Sequence, residues 1–168
     1  MGRGHGESLP EIEIRRAGQA DAAMIAEVLF ESFVEYEGLY TPGGFAATTL
    51  QTEQVLARMT EGPVWLAFRE AKVLGTVAAV IKGRSAYMRG MAVLPAARGL
   101  RVGVRLVEQV EEWAAGEGCS RVFLSTTPFL AAAIRLYERL GFRRTEDGEH
   151  DLFGTPLFTM EKNLSRTP

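Results

Sequence analysis

The chain has 168 residues, of which 46% are hydrophobic and 24% charged, and its formal net charge is -2. These values indicate one globular domain and, without an overall basic charge, argue against nucleic acid as a partner. No apolar run is long enough to span a bilayer, no secretory leader is apparent, and the single cysteine, Cys119, excludes an internal disulfide. We therefore expect a cytoplasmic protein without a membrane partner.

Hydrophobic periodicity predicts eleven secondary-structure elements. In chain order they are a strand at 11–16, helices at 20–35 and 52–60, strands at 64–69, 73–81 and 86–94, a helix that follows Arg98 and ends near Gly116, a strand at 121–126, a helix that follows Pro128 and is capped by Gly141, a strand at 142–145, and, after a turn at 154–156, a strand at 157–162. Residues 37–49 predict a loop with its turn at 42–44, and residues 1–10 predict a flexible tail before a single domain, 11–164. This order predicts a mixed α/β sheet with helices on both faces.

The most informative segment joins the strand at 86–94 to the following helix. Gly99 and Gly103 lack a Cβ atom, so the backbone there can approach a ligand closely. The first N–H groups of the helix have no internal partner and lie at the positive end of the helix dipole. Together with Arg98 and Arg101 they predict a binding site for a pyrophosphate group.

This segment and a later one resemble the GNAT superfamily of N-acetyltransferases. The family's loop has Arg or Gln, two variable residues, Gly, one variable residue, and Gly or Ala. Residues 98–103, Arg-Gly-Leu-Arg-Val-Gly, are similar to it, with Arg101 in place of the middle glycine. The stretch from Ala133 to Phe142 resembles the family's later helix and its Leu-Gly-Phe ending. The resemblance implies an acyl-CoA N-acyltransferase fold, with a central, twisted, mostly antiparallel sheet flanked by helices and two splayed central strands.

The resemblance also implies a reaction: transfer of an acetyl group from acetyl-CoA, as co-substrate, to a primary amine of a small molecule or peptide, directly within a ternary complex. The residues implied to bind acetyl-CoA are Met91, Ala92, Val93, Arg98, Gly99, Leu100, Arg101, Val102, Gly103, Val104, Leu130 and Ala133. Tyr137 matches the family's general acid, which protonates the departing CoA thiolate, since a phenol with a pKa near ~10 carries its proton at neutral pH. Many members of the family are dimers, so a homodimer is an open expectation.

Several positions admit two interpretations. Tyr137 is either this acid or a tyrosine packed against the sheet, and Arg101 either reaches the phosphates or is solvated. Leu130 replaces an asparagine with which many members contact the pantetheine arm. The strand at 86–94 lacks the carboxylate that several relatives use as a general base. The candidates by position are Glu35, Glu37, His150 and Asp151, and a water chain is equally open.

Aromatic residues gather around the first helix and the loop after it. They either form an acceptor pocket for a cationic amine or pack the loop: Phe33, Tyr36, Tyr40 and Phe45. Cys119 is expected to be a buried small hydrophobe, and no His or Cys cluster has the spacing of metal ligands. The alternative function is a non-catalytic module that binds acyl-CoA and regulates a partner. Another class of nucleotide-binding enzyme is disfavoured, because neither common phosphate-loop motif is present.

Overall fold

The computed structural model describes residues 11–164; the tail predicted at 1–10 lies outside them. The strands are β1 (Glu13–Arg16), β2 (Val64–Arg69), β3 (Lys72–Lys82), β4 (Ser85–Val93), β5 (Arg121–Thr126), β6 (Arg143–Arg144), β7 (His150–Leu152) and β8 (Thr155–Asn163). The helices are α1 (Ala22–Phe33), α2 (Pro42–Thr48), α3 (Thr52–Glu61), α4 (Val102–Gly116) and α5 (Ala131–Arg139), with short 3-10 turns at Gln19–Asp21, Val34–Leu39 and Pro95–Ala97. None of these described helices combines the length and the apolar character that crossing a membrane requires.

The strands form one sheet in the order β1-β2-β3-β4-β5-β8-β6, with β7 paired to β8 off this path. Neighbouring strands are antiparallel except β4 and β5, which are parallel and pair only through Ser85–Tyr87 and Arg121–Phe123. Beyond these pairs β5 continues with β8 as far as Thr126, while β4 leaves it. The predicted mixed, mostly antiparallel sheet with two splayed central strands is confirmed.

Helices cover both faces of this sheet, as the element order predicts. Side chains alternate along β2, so Trp65 points to one face and Leu66 to the other. Leu106 of α4 packs on the first face and is fully buried. Leu29 of α1 and Val55 of α3 pack on the second face, each 1% exposed. The two helical layers therefore approach the splayed strands from opposite sides.

The structure corrects the loop predicted at 37–49, where a 3-10 turn ends at Leu39 and helix α2 follows. Pro42 begins this helix rather than a turn, and proline is favoured at the first helical position. Thr41 caps the helix by accepting a hydrogen bond from Gly44 N–H at 3.0 Å. The cap was readable from the Thr-Pro pair, but the glycines that follow have low helix propensity and favour the loop prediction.

The C-terminal strands also differ from the prediction. β7 was not predicted, and β8 begins at Thr155, inside the segment 154–156 that predicts a turn. Thr155 Oγ1 accepts a hydrogen bond from Thr41 N–H at 2.9 Å and holds the start of β8 against α2. The strand predicted at 142–145 is reduced to the two residues of β6. A contact between distant segments, which local patterns do not encode, decides where β8 begins.

Candidate active site

A cleft of about 840 Å³ opens where β4 and β5 separate. The edge of β4 that faces β5 has no strand partner from Met88 to Val93 in the described chain. Such an edge presents backbone N–H and C=O groups that an extended ligand can pair with as an added strand would. The separation of the two strands therefore creates both the space and the hydrogen-bonding groups of the site.

A β-bulge shapes β4 within this cleft. Thr76 and Ala78 of β3 pair with Ala92 and Arg89, so β4 contains one residue more than β3 over this stretch. Gly90 lies in the bulge with φ +61°, a left-handed conformation that glycine adopts without strain. Bulges re-aim the backbone beside active sites. The extra residue turns this part of β4 out of the regular ladder at the wall of the cleft.

The predicted phosphate site, called here the glycine loop (residues 98–104), lies at the end of the cleft where α4 begins. The first intrahelical hydrogen bond of α4 runs from Arg105 N–H to the Arg101 carbonyl at 3.2 Å. The N–H groups of Val102–Val104 therefore have no helical partner, and these residues line the cleft. They lie at the positive end of the helix dipole. The loop fits an anionic pyrophosphate.

Arg101 caps α4 in the left-handed conformation, with φ 66° and ψ 19°. A residue with a Cβ atom loses roughly 1–2 kcal/mol in this region of conformational space. The resembling family has glycine here, which avoids that cost. The arginine is exposed and lines the cleft, so its strained backbone preserves the loop while its side chain adds a positive charge there.

We expect Arg101→Gly to have a higher free energy of unfolding than Arg101→Ala, by up to about 1 kcal/mol. Both variants remove the guanidinium, but only glycine relieves the left-handed strain, offset in part by its larger entropy in the unfolded chain. Urea unfolding followed by circular dichroism measures the difference. If the alanine variant is as stable as the glycine variant, the left-handed backbone at position 101 does not destabilise a residue that has a Cβ atom. Calorimetry separately measures whether both variants bind CoA more weakly than the wild type, as expected if the Arg101 guanidinium contacts the phosphates.

Arg98 joins the glycine loop to the end of α1. Its Nη2 donates a hydrogen bond to the Ser32 carbonyl at 3.2 Å, and its guanidinium forms an ion pair with Glu35. The same guanidinium lies 6.0 Å from the centre of the Tyr36 ring. These contacts hold Arg98 against the end of α1 and the turn that follows it, and they engage Glu35 in an ion pair.

Tyr137 of α5 is buried, 6% exposed, and lines the same cleft. Its hydroxyl donates to Met91 Sδ at 3.9 Å, next to the bulge glycine of β4. The ring packs on Phe142 with centroids 5.8 Å apart. Burial raises the pKa of Tyr137 above its ordinary value, so the phenol keeps its proton at neutral pH. A protonated phenol beside β4 is able to donate a proton into the cleft.

The structure brings nearly all residues predicted to bind acetyl-CoA to this one cleft. Those that line it are Met91, Ala92, Val93, Arg98, Gly99, Arg101, Val102, Gly103, Val104, Leu130 and Ala133. Leu100 does not line it, and its half-buried side chain packs against the core instead. Leu130 offers the cleft an apolar surface at the start of α5, without the amide that many resembling proteins have there.

The general-base candidates predicted from sequence do not line the cleft. They were Glu35, Glu37, His150 and Asp151. His150 contacts a lining residue, since its Nε2 lies 3.1 Å from Ser125 Oγ. Among the lining residues that the structure describes, Glu108 on the exposed side of α4 is the one carboxylate.

The opposite part of the cleft, called here the aromatic half, is lined by α1, α2, α3, the first part of β4 and the turns between them. Of the predicted aromatic cluster, Phe33, Tyr36 and Tyr40 line it. Phe45 lies behind Tyr40, with ring centroids 6.0 Å apart, and does not reach the cleft. Phe129, to which no sequence pattern points, packs edge-on against Tyr40, with ring centroids 4.8 Å apart.

Two arginines of the aromatic half were also missed. Arg58 of α3 and Arg89 of β4 are half-buried and line the cleft. Arg89 stands between Met88 and Gly90 in a largely apolar strand, which is a signal that could have found it. Arg58 lies in an ordinary amphipathic helix and carries no such local signal.

Comparison with known proteins agrees with this architecture. A model of the acetyltransferase (GNAT) family matches residues 26–142. The IAA acetyltransferase of Azospirillum brasilense is 31% identical over 136 residues, which cover 80% of this chain and 86% of that protein. An uncharacterized N-acetyltransferase of Schizosaccharomyces pombe is 38% identical over 64 residues, which cover 38% of this chain and 39% of the relative. The crystal structure of the PaiA N-acetyltransferase of Thermoplasma acidophilum in complex with coenzyme A has a TM-score of 0.78 at 20% identity, over 91% of this chain and 99% of that chain.

Proposed function

This chain belongs to the GNAT family of acetyltransferases, and on that premise we propose that its cleft binds acetyl-CoA and that Tyr137 is the general acid. The enzyme moves an acetyl group from acetyl-CoA to the nitrogen of an amine acceptor. One observation carries the assignment of residues. A buried, protonated phenol and the free amides of a helix line the same opening between two parallel strands.

The residues present fit acetyl-CoA at two places. The unpartnered N–H groups of Val102–Val104 suit the pyrophosphate, with Gly99 and Arg101 completing the turn. The free edge of β4 at Met91–Val93 suits the amide groups of the pantetheine arm, and Leu130 gives it apolar contact. When bound, acetyl-CoA supplies an activated thioester carbonyl.

Acetyl transfer forms a C–N bond and breaks a C–S bond, while the amine loses one proton and the leaving thiolate gains one. We propose that the Tyr137 phenol donates the proton that the leaving thiolate gains. The phenol then takes a proton from solvent. A backbone N–H of the β4 edge aimed at the thioester oxygen stabilises the negative charge that develops there. Because no carboxylate lines the aromatic half in the described chain, we assign the amine proton to water.

We expect CoA to be released from acetyl-CoA in the presence of an amine, at a rate that depends on the concentrations of both substrates. A panel of amines and a thiol-reactive dye measure the release, and Cys119 is buried, so the protein itself adds little signal. Mass spectrometry identifies the acetylated amine. The alternative, a regulatory module, predicts that calorimetry shows acetyl-CoA binding while every amine fails to release CoA.

The compartment and the assembly are proposals as well. Cys119 is free and buried, which agrees with a reducing compartment, so we propose that the enzyme works in the cytoplasm. The homodimer stays a prediction that sedimentation of the purified protein tests.

A further inference from the structure

Two guanidinium groups enter the aromatic half from different elements. Arg58 reaches it from α3 and Arg89 from β4. A Cβ atom built on Gly90 would lie 2.5 Å from Arg58 Nη1, so this guanidinium rests directly on the β4 bulge. Helix α3 covers the sheet face opposite α4. The pair of charges is therefore separate from the glycine loop that suits pyrophosphate.

The protein neutralises these charges only in part. Arg89 Nη2 pairs with Glu61 at 2.6 Å, but Arg89 Nε is buried without a hydrogen-bond partner. Arg58 makes no hydrogen bond or ion pair within residues 11–164. Burial and the charge of Arg89 lower the pKa of Arg58 to about 10, which leaves it protonated at neutral pH. Two cations and one carboxylate leave a net positive charge on this wall of the cleft.

A half-buried cation without a partner is unfavourable, and such groups are normally paired or hydrogen-bonded. Arginine presents a planar set of N–H donors that matches a carboxylate. We propose that the amine acceptor of this enzyme carries a carboxylate, which Arg58 and Arg89 bind at the β4 bulge. This inference rests on the proposed function, because it places the acceptor in the aromatic half.

The geometry also limits the size of the acceptor. The residue after the bulge glycine, Met91, contacts the Tyr137 hydroxyl at 3.9 Å, and Arg58 Nη1 rests on the bulge glycine itself. Contacts with the acid and with an arginine at adjacent residues of one strand favour an acceptor whose amine and carboxylate belong to one short molecule, as in a free amino acid. Rings of Phe33, Tyr36 and Tyr40 line the same space and favour an apolar or aromatic side chain.

The test compares matched acceptors that differ only in the anionic group. Phenylalanine, phenylalaninamide, phenethylamine and the aminophosphonate analogue of phenylalanine are assayed with saturating acetyl-CoA, together with the free and amidated forms of the other amino acids. We expect kcat/KM for the free acids to exceed that for their amides by roughly ten- to hundredfold, the worth of a charge-assisted hydrogen bond. Amides used as well as the acids would overturn the proposal, and a preference for the phosphonate would overturn the assignment to a carboxylate.

Variants connect this preference to the arginines. Arg58→Gln should remove most of the preference for the acid over the amide, while leaving kcat/KM for the amide and the KM for acetyl-CoA nearly unchanged. Arg58→Lys, which keeps the charge, should recover part of the preference. Arg16→Gln, at an exposed arginine of β1, is the matched control and should change none of these values. Equal losses for acid and amide in Arg58→Gln would show a structural role and contradict the proposal.

The outcomes separate this inference from the proposed function. If no amine releases CoA although acetyl-CoA binds, the acetyltransferase assignment fails first. Calorimetry with the CoA-bound protein then still tests the carboxylate site, which predicts binding of phenylalanine to the wild type and at least tenfold weaker binding to Arg58→Gln. If amines without an anionic group are acetylated as fast as amino acids, the function stands and the carboxylate site is wrong.

Discussion

Tyr137→Phe is expected to lower kcat by about 10²-fold, at the lower end of what a positioned general acid contributes. The substitution removes only the hydroxyl, and the ring keeps its place beside Phe142. The KM for acetyl-CoA and the free energy of unfolding should therefore change little. Steady-state CoA release at saturating concentrations of both substrates measures the effect, because it isolates turnover from binding.

The pH dependence gives a second readout of the same residue. Burial raises the pKa of Tyr137, so its neutral form persists above the ordinary phenol pKa of about 10. At every pH below about 10, ionisation of Tyr137 should therefore leave kcat unchanged. Tyr87→Phe is the control, since that ring also lines the cleft but stacks on Phe123 at 5.0 Å, and it should retain most of its turnover. Unchanged turnover in Tyr137→Phe would leave Tyr137 as a packing residue.

Gly103→Val is expected to weaken acetyl-CoA binding at least about tenfold and to lower the free energy of unfolding by about 1–3 kcal/mol. A Cβ atom on Gly103 would lie 2.7 Å from Leu136 Cδ2 and 3.7 Å from Met91 Cε. The branched side chain would push the first turn of α4 away from α5. That movement displaces the free amides of the glycine loop that suit the pyrophosphate. Calorimetry with CoA and urea unfolding measure the two effects.

The same helix offers a matched control. A Cβ atom on Gly116, at the far end of α4, would meet nothing within 4 Å. Gly116→Ala should therefore bind CoA as the wild type does and unfold at an equal or slightly higher free energy, because alanine has the higher helix propensity. If Gly103→Val and Gly116→Ala bind CoA equally well, the start of α4 is not the pyrophosphate site.

Much of the fold follows from short-range patterns. The strands at the centre of the sheet show the apolar runs of buried strands, and α4 shows a regular apolar stripe after two glycines. The helix of Tyr137 ends at Gly141, which has φ +96°, as its sequence predicts. These features are correct because backbone preference and hydrophobic periodicity act within a few residues along the chain.

The cap at Thr41 shows where such patterns are insufficient. Its hydrogen bonds to Gly44 and to Thr155 hold α2 and the start of β8 together, although the glycines beside it weaken a helix in isolation. Tertiary contacts compensate for this low propensity, and no local window contains them.

The family resemblance, the order of the elements, the glycine loop and the motif that contains Tyr137 follow from the amino-acid order alone, because each consists of adjacent or regularly spaced residues. The folded structure, in contrast, sets which side chains share the cleft. It pairs Glu35 with Arg98, and among the residues that the structure describes no carboxylate lines the aromatic half. It also brings Arg58 of α3 and Arg89 of β4 together at one bulge. This contact requires α3 to pack across the sheet, and that packing depends on residues that are distant in the sequence.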